Sequence, residues 1–171
     1  MAGEPCLRTM TLCLQASIEM VSTKDIDEAG SPFALSYPGG PGERLLASIE
    51  RVGIIEPLIL LQRESPVLVC GFRRLAAARL LGMEEVPARV LIGSDREALL
   101  TAIHGNLDRG HTTVEKALCL SKMDEMGCTH QEMLQTMVLL SLEPHEKVLA
   151  TMTRLGRSTE VVKHFVALRS L

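Results

Sequence analysis

Pro66-Val67-Leu68-Val69-Cys70-Gly71-Phe72-Arg73-Arg74-Leu75-Ala76-Ala77-Ala78-Arg79-Leu80-Leu81-Gly82 is the stretch on which the fold of this 171-residue chain turns. Val67 to Gly71 suits a buried strand that ends at a sharp turn, because the run is short, apolar and closed by glycine. Leu75 to Leu81 suits a helix, with Gly82 as its left-handed C-terminal cap. Gly71 removes the side chain where the backbone turns, so a ligand can come close. A helix start there offers unpaired N–H groups and a positive dipole end. Arg73 and Arg74 lie in the same turn, and the combination favours an anion, above all a phosphate. Neighbouring helical residues point roughly 100° apart. One arginine is therefore free to pair with an acid while the other meets the phosphate.

Composition bounds the rest. Hydrophobic residues make up 46% of the chain, enough for a packed core, and with no Trp, one Tyr and three Phe that core is aliphatic and Met-rich. The net charge is −3, which excludes a chain that binds nucleic acid by bulk positive charge. Residues 1–42 hold two basic and five acidic groups and the remainder is balanced, so any DNA contact needs a local patch. Five cysteines at 6, 13, 70, 119 and 128 form no CxxC pair and fit free thiols in a reducing cytoplasm. The five histidines have no metal-ligand spacing with Cys or Asp. Met1 to Met20 reads neither as a signal peptide nor as a membrane span.

Along the chain, Leu12 to Val21 holds a candidate strand and Ser22 to Gly42 reads as a loop rich in Pro and Gly. Glu43 to Val52 has Leu45, Leu46, Ile49 and Val52 on one helical face, and Gly53 ends it. Pro57 opens the apolar run Leu58 to Leu61, a link over Gln62 to Ser65 joins it to strand 67–70, and Ala88 to Ile92 is a third strand in this series. From Ser94 the pattern is helical: Arg96 to Ile103, a helix capped by Thr112 with Glu115, another capped by Thr129 with Glu132, one beginning near Pro144, and a last one after Ser158 or Thr159. The expected class is α+β, with a small mixed α/β unit over 1–93 and a helical unit over 94–171. The last helix runs to the chain end, as in a piece of something longer.

Three clusters of residues resemble the signature boxes of the ParB N-terminal domain. Gly71-Phe72-Arg73-Arg74, then Ala76-Ala77, Leu80, Gly82, Val86 and Pro87, is similar to that family's Gly-Glu-Arg-Arg box, with Phe72 in place of Glu. Ser48-Ile49-Glu50-Arg51-Val52-Gly53, followed by Glu56-Pro57 and a strand, resembles the first box, with Glu56 where Gln is usual. Gly105-Asn106-Leu107-Asp108-Arg109 resembles the third, usually Glu-Asn-x-Gln-Arg, with Gly105 replacing the acid and Asp108 the Gln. Thr113-Val114-Glu115-Lys116-Ala117 then resembles the family's Pro-x-Glu-x-Ala. The boxes fall in order across roughly residues 17–120.

The resemblance implies a ParB/sulfiredoxin-type nucleotide domain that binds CTP with Mg2+ and associates with double-stranded DNA as a homodimer, in partition, plasmid or mobile-element maintenance, or transcriptional control. Gly71, Phe72, Arg73, Arg74, Asn106 and Arg109 are the implied nucleotide residues, and Asn106 is the candidate metal contact. Because Gly105 carries no carboxylate, binding is better supported than hydrolysis, leaving at most a weak CTPase. The family's helix-turn-helix falls on residues 130–155, where Lys147 and Arg154 are the candidate DNA contacts and Ser141-Leu142-Glu143-Pro144 stands in place of the usual Gly-Lys-Ser. Sulfiredoxin carries its cysteine after the glycine of its Gly-Cys-His-Arg motif, whereas Cys70 here precedes Gly71 and suits a buried small hydrophobe. The rival readings are an enzyme on the same fold or a nucleotide-gated dimerisation module without DNA contact. The enzyme is either a small-molecule kinase with Glu56 as its base or the nuclease that such domains are often labelled as.

Overall fold

A computed structural model describes residues 17–29, 31–35, 39–107 and 112–140 of the chain. The elements run β1 (Glu19–Ser22), α1 (Glu43–Val52), β2 (Leu58–Leu61), β3 (Val67–Cys70), α2 (Phe72–Leu80), β4 (Glu85–Leu91), α3 (Asp95–His104), α4 (Thr113–Glu125) and α5 (His130–Leu139). The strands form one sheet in the order β1-β4-β2-β3. β4 is antiparallel to β1 and parallel to β2, and β2 is antiparallel to β3.

Side chains alternate across a strand, so a strand buried on both faces reads as an unbroken apolar run. Leu58, Leu60 and Leu68 enter one core with Leu75 and Ala78 of α2, Val86, Ala88 and Ile26. Leu61, Val69 and Leu91 enter a second core on the opposite face, with Ala98, Leu99 and Ile103 of α3, Leu120 and Met123 of α4, and Met133 of α5. The chain changes from strand to helix near residue 93, yet this second core runs straight across that point.

The segment from 23 to 35 is tied to the sheet edge. Asp27 bridges Val67, the Leu68 N–H donates to the Asp27 carbonyl at 2.9 Å, and Ser31 Oγ donates to the Leu68 carbonyl. This brings Phe33 and Leu35 into the core at 1% and 4% exposure. Lys122 of α4 donates to the Pro32 carbonyl and holds the same segment from the other side. Ser22 closes β1, and the described residues of 23–42 add only the isolated Asp27 bridge, much as a loop is expected to, but Phe33 and Leu35 make part of that stretch a packed wall.

Helix ends follow the local chemistry. Ser94 caps α3 and Thr112 caps α4, each in a reciprocal pair with a glutamate three residues on. Thr129 and Glu132 exchange the same bonds at the start of α5. Gly53, Gly82 and Gly127 follow α1, α2 and α4 with φ of 75°, 69° and 67°. The helices expected after Pro144 and after Ser158 lie outside the described residues. No described helix is long and apolar enough to cross a membrane.

Candidate functional site

The strand-to-helix junction at residue 71 adopts a conformation that only glycine takes without strain. Gly71 has φ 107° and ψ 22° and is the N-cap of α2, which begins at Phe72 rather than at Leu75. Phe72, Arg73 and Arg74 thus form the helix's first turn. No side chain caps that turn, so its first N–H groups are available to an outside acceptor. A Cβ at position 71 would stand 3.1 Å from Leu58 Cγ and 3.4 Å from Arg74 Nε, so the missing side chain is what lets the Arg74 guanidinium fold over the turn.

The two arginines go to different places. Arg74 is largely covered, its side chain 16% exposed. Its Nη1 donates to the Pro57 carbonyl at 3.0 Å and to the Glu56 carbonyl, and lies 3.1 Å from Glu56 Oε2. Arg73 is exposed, and its Nη2 donates to the Pro41 carbonyl at 2.7 Å. That carbonyl lies at the start of α1, where Gly42 has φ 76° and a Cβ would come within 3.0 Å of the same Nη2. The expectation that neighbouring arginines diverge is met: one pairs with an acid, and the other reaches across the opening.

A cavity of about 450 Å³ opens at this junction. Gly71, Phe72, Arg73, Arg74, Glu56, Gly105 and Asn106 line it, so each of the three boxes contributes at least one residue to one place. Asn106 follows the end of α3. Its Nδ2 donates to the Ala102 carbonyl at 2.6 Å and stands 3.6 Å from Cys70 Sγ. The donor end of the amide is thereby engaged, and Oδ1 is the end it can offer a ligand. Phe33, Leu35, Leu45, Val69 and Cys70 complete the wall. The sequence reading missed these as site residues. For Leu45 and Val69 the periodicity marks core positions and carries no hint of a cavity. For Phe33 and Leu35 no periodic signal exists in an irregular segment.

Arg109, Lys147 and Arg154 lie outside the described residues. For a magnesium ion, which is usually held by one or two carboxylates together with substrate phosphates, the described donors do not fit. Asn106 has one neutral oxygen, Gly105 has no side chain, and the Glu56 carboxylate is paired with Arg74. Among the described residues no three His, Cys, Asp or Glu groups gather into a cation site.

The ParB N-terminal domain family matches residues 41–107, from just before α1 to within the third box. Over these residues the chain is ParB N-terminal domain-like. Its curated relatives include a nucleoid occlusion protein of Halalkalibacterium halodurans, 32% identical over 132 residues that cover 75% of this chain and 45% of the relative. The chromosome-partitioning protein Spo0J of Thermus thermophilus is 40% identical over 92 residues, 53% of this chain and 34% of Spo0J. The chain thus spans less than half the length of these relatives. Among solved structures, a pNOB8-like ParB N-domain aligns over 81% of this chain and 64% of its own with TM-score 0.53 and 18% identity, a likeness of fold. The ParB match begins at Pro41, whose carbonyl Arg73 contacts, and ends just past Asn106, so it encloses most of the wall.

Proposed function

We propose that the cavity of this ParB-type domain binds a nucleoside triphosphate, CTP by the family resemblance, with its phosphates at the start of α2. The observation that carries this is the Gly71–Arg74 turn: a left-handed glycine, an uncapped helix start and two guanidinium groups at the mouth of one cavity. The helix start donates N–H bonds, Arg73 exchanges its neutral carbonyl partner for a phosphate oxygen, and Arg74, its Nη1 held by backbone carbonyls, offers its remaining donors beside Gly71 to the phosphates. Asn106 Oδ1 faces the ligand or its waters. Magnesium, where present, is carried on the phosphate oxygens.

Nucleotide binding is coupled to DNA association by the helical part of the chain, as a dimer, in partition or the related processes of the relatives. The reading that α5 begins a helix-turn-helix is supported by the capped start at Thr129 and by the family order; the helix expected after Pro144 and the candidate contacts Lys147 and Arg154 lie outside the described residues. A kinase reading draws on Glu56 at the cavity wall, but a base bound to Arg74 is poorly placed to take a proton. A nuclease reading has no carboxylate cluster among the described residues to support it.

Calorimetry with the four common nucleoside triphosphates, with and without magnesium, tests the proposal. CTP binds, and the double variant Arg73→Ala/Arg74→Ala loses several kcal/mol at about 1.5–3 kcal/mol per charge-assisted bond. Unchanged affinity in the double variant would remove the phosphates from this turn.

A further inference from the structure

Position 56 is where this chain departs from its family's first box by adding a charge to the cavity. Glu56 is exposed, its side chain 78% open to solvent, yet it borders the cavity and its Oε2 lies 3.1 Å from Arg74 Nη1. That same Nη1 already donates to two backbone carbonyls, those of Glu56 and Pro57. The carbonyls hold the guanidinium in place whatever side chain stands at 56. The carboxylate is therefore unnecessary for positioning Arg74. It adds a negative charge beside the group that is to meet phosphates, and it offsets part of the arginine's field.

We propose that Glu56 sets the charge selectivity of the site. As an internal anion on the phosphate arginine, it weakens the binding of highly charged triphosphates relative to nucleotides of lower charge. The inference rests on the nucleotide reading above and concerns the same cavity. A polyanion entering beside Glu56 meets repulsion that grows with its own charge, and it competes with the carboxylate for the Arg74 donors. A monophosphate meets little of either. Solvent screens an exposed carboxylate, so the effect is a graded bias and not a block.

The test compares wild type, Glu56→Gln and Glu56→Asp by calorimetry with CTP, CDP and CMP at one ionic strength and one magnesium concentration. Gln keeps the length and both backbone carbonyls and removes only the charge, and Asp keeps the charge. CTP affinity rises roughly three- to tenfold in Glu56→Gln, from losing one partly screened charge pair beside a polyanion. The gain shrinks from CTP to CDP to CMP, and Glu56→Asp stays close to wild type for all three. If wild type binds CTP and Glu56→Gln binds it equally or more weakly, the inference is overturned and the nucleotide reading stands. A gain of equal size for all three ligands overturns it too, because a general loosening of the cavity carries no charge grading. If no nucleotide binds wild type or variant, both the reading and the inference fall.

Discussion

Replacing Gly71 by Ala perturbs the site at its narrowest point. The backbone there has φ 107°, in the region that a side chain makes costly, and alanine pays roughly 1–2 kcal/mol for a left-handed conformation. The new Cβ would stand 3.1 Å from Leu58 Cγ, and Leu58 is fully buried between β2 and α2, so it has no free space to yield. Overpacking of this kind adds about 1 kcal/mol. Together the change removes about 2–3 kcal/mol, a fall in Tm of roughly 4–12 °C for a chain of this size. Gly105→Ala is the internal control. Gly105 has φ −67°, an ordinary helical value, and the added Cβ stands 3.2 Å from the Thr101 carbonyl oxygen and 3.6 Å from Cys70 Sγ. The variant carries a tight contact but no left-handed penalty, and therefore lowers Tm by less than Gly71→Ala does. Thermal unfolding followed by circular dichroism reads both, and CTP calorimetry on the folded variants shows weakened binding for Gly71→Ala, whose α2 N–H groups are re-aimed. Equal Tm values for Gly71→Ala and wild type would refute the left-handed cap and with it the geometry of the phosphate turn.

Three further outcomes follow from the same structure. Nucleotide hydrolysis by the wild type is slower than about 1 per second, and Gly105→Glu, which places a carboxylate at a position of ordinary helical φ on the cavity wall, speeds it; faster release of phosphate by wild type in a coupled assay would show that the catalytic group lies elsewhere. Stability falls on acidification. The Ser94 backbone N–H and hydroxyl hold the Glu97 carboxyl below its ordinary value, while burial pushes Glu132 up but Arg96 and Thr129 outweigh it and leave it lowered. A lowered folded value means stabilisation present above the unfolded value, about 4.3, and lost as pH falls through the folded one. Glu132→Gln accordingly costs roughly 1–2 kcal/mol at neutral pH and flattens the acid limb of a Tm–pH profile, and a profile identical to wild type would contradict this. Finally, non-specific duplex DNA binding is weak at physiological salt, with a shallow slope of log affinity on log salt, given the net charge of −3. The pair Lys147→Glu/Arg154→Glu abolishes DNA binding measured by fluorescence anisotropy with CTP present, and binding that survives it would displace the proposed contacts.

Where the sequence was legible, a periodic pattern and a terminator agreed. Glu43–Val52 with Gly53 was readable because its apolar positions recur at helical spacing, and Leu58–Leu61 and Val67–Cys70 because strands buried on both faces read as plain apolar runs. α2 starts three residues earlier than its apolar pattern suggests, since a left-handed glycine nucleates the turn through Phe72-Arg73-Arg74, which has no core periodicity of its own. β4 begins at Glu85 rather than Ala88: exposed Glu85 and the backbone-restricted Pro87 mask a strand start that pairing with β1 alone imposes, since β2 pairs only from Ala88 onward. The Ser94–Glu97 capping box, although a local signal, moves the start of α3 to Asp95. The Gly-Arg turn and Asn106 were readable from motif order. The cavity's apolar wall at Phe33 and Leu35 was not, because it depends on long-range bonds from Asp27 and Ser31 to β3 that no local pattern announces.

The claim that the phosphates sit at the start of α2 is most directly tested by amide chemical shifts of the 15N-labelled chain during a CTP titration. The N–H groups of Gly71 to Leu75 and the side chain of Asn106 shift most, in a saturable way, with smaller changes near Gly42 as Arg73 leaves the Pro41 carbonyl. Saturable shifts confined to another region, for example the groove between Thr23, Lys24 and Glu84 at the far end of α2, with residues 71–75 unmoved, would contradict the account.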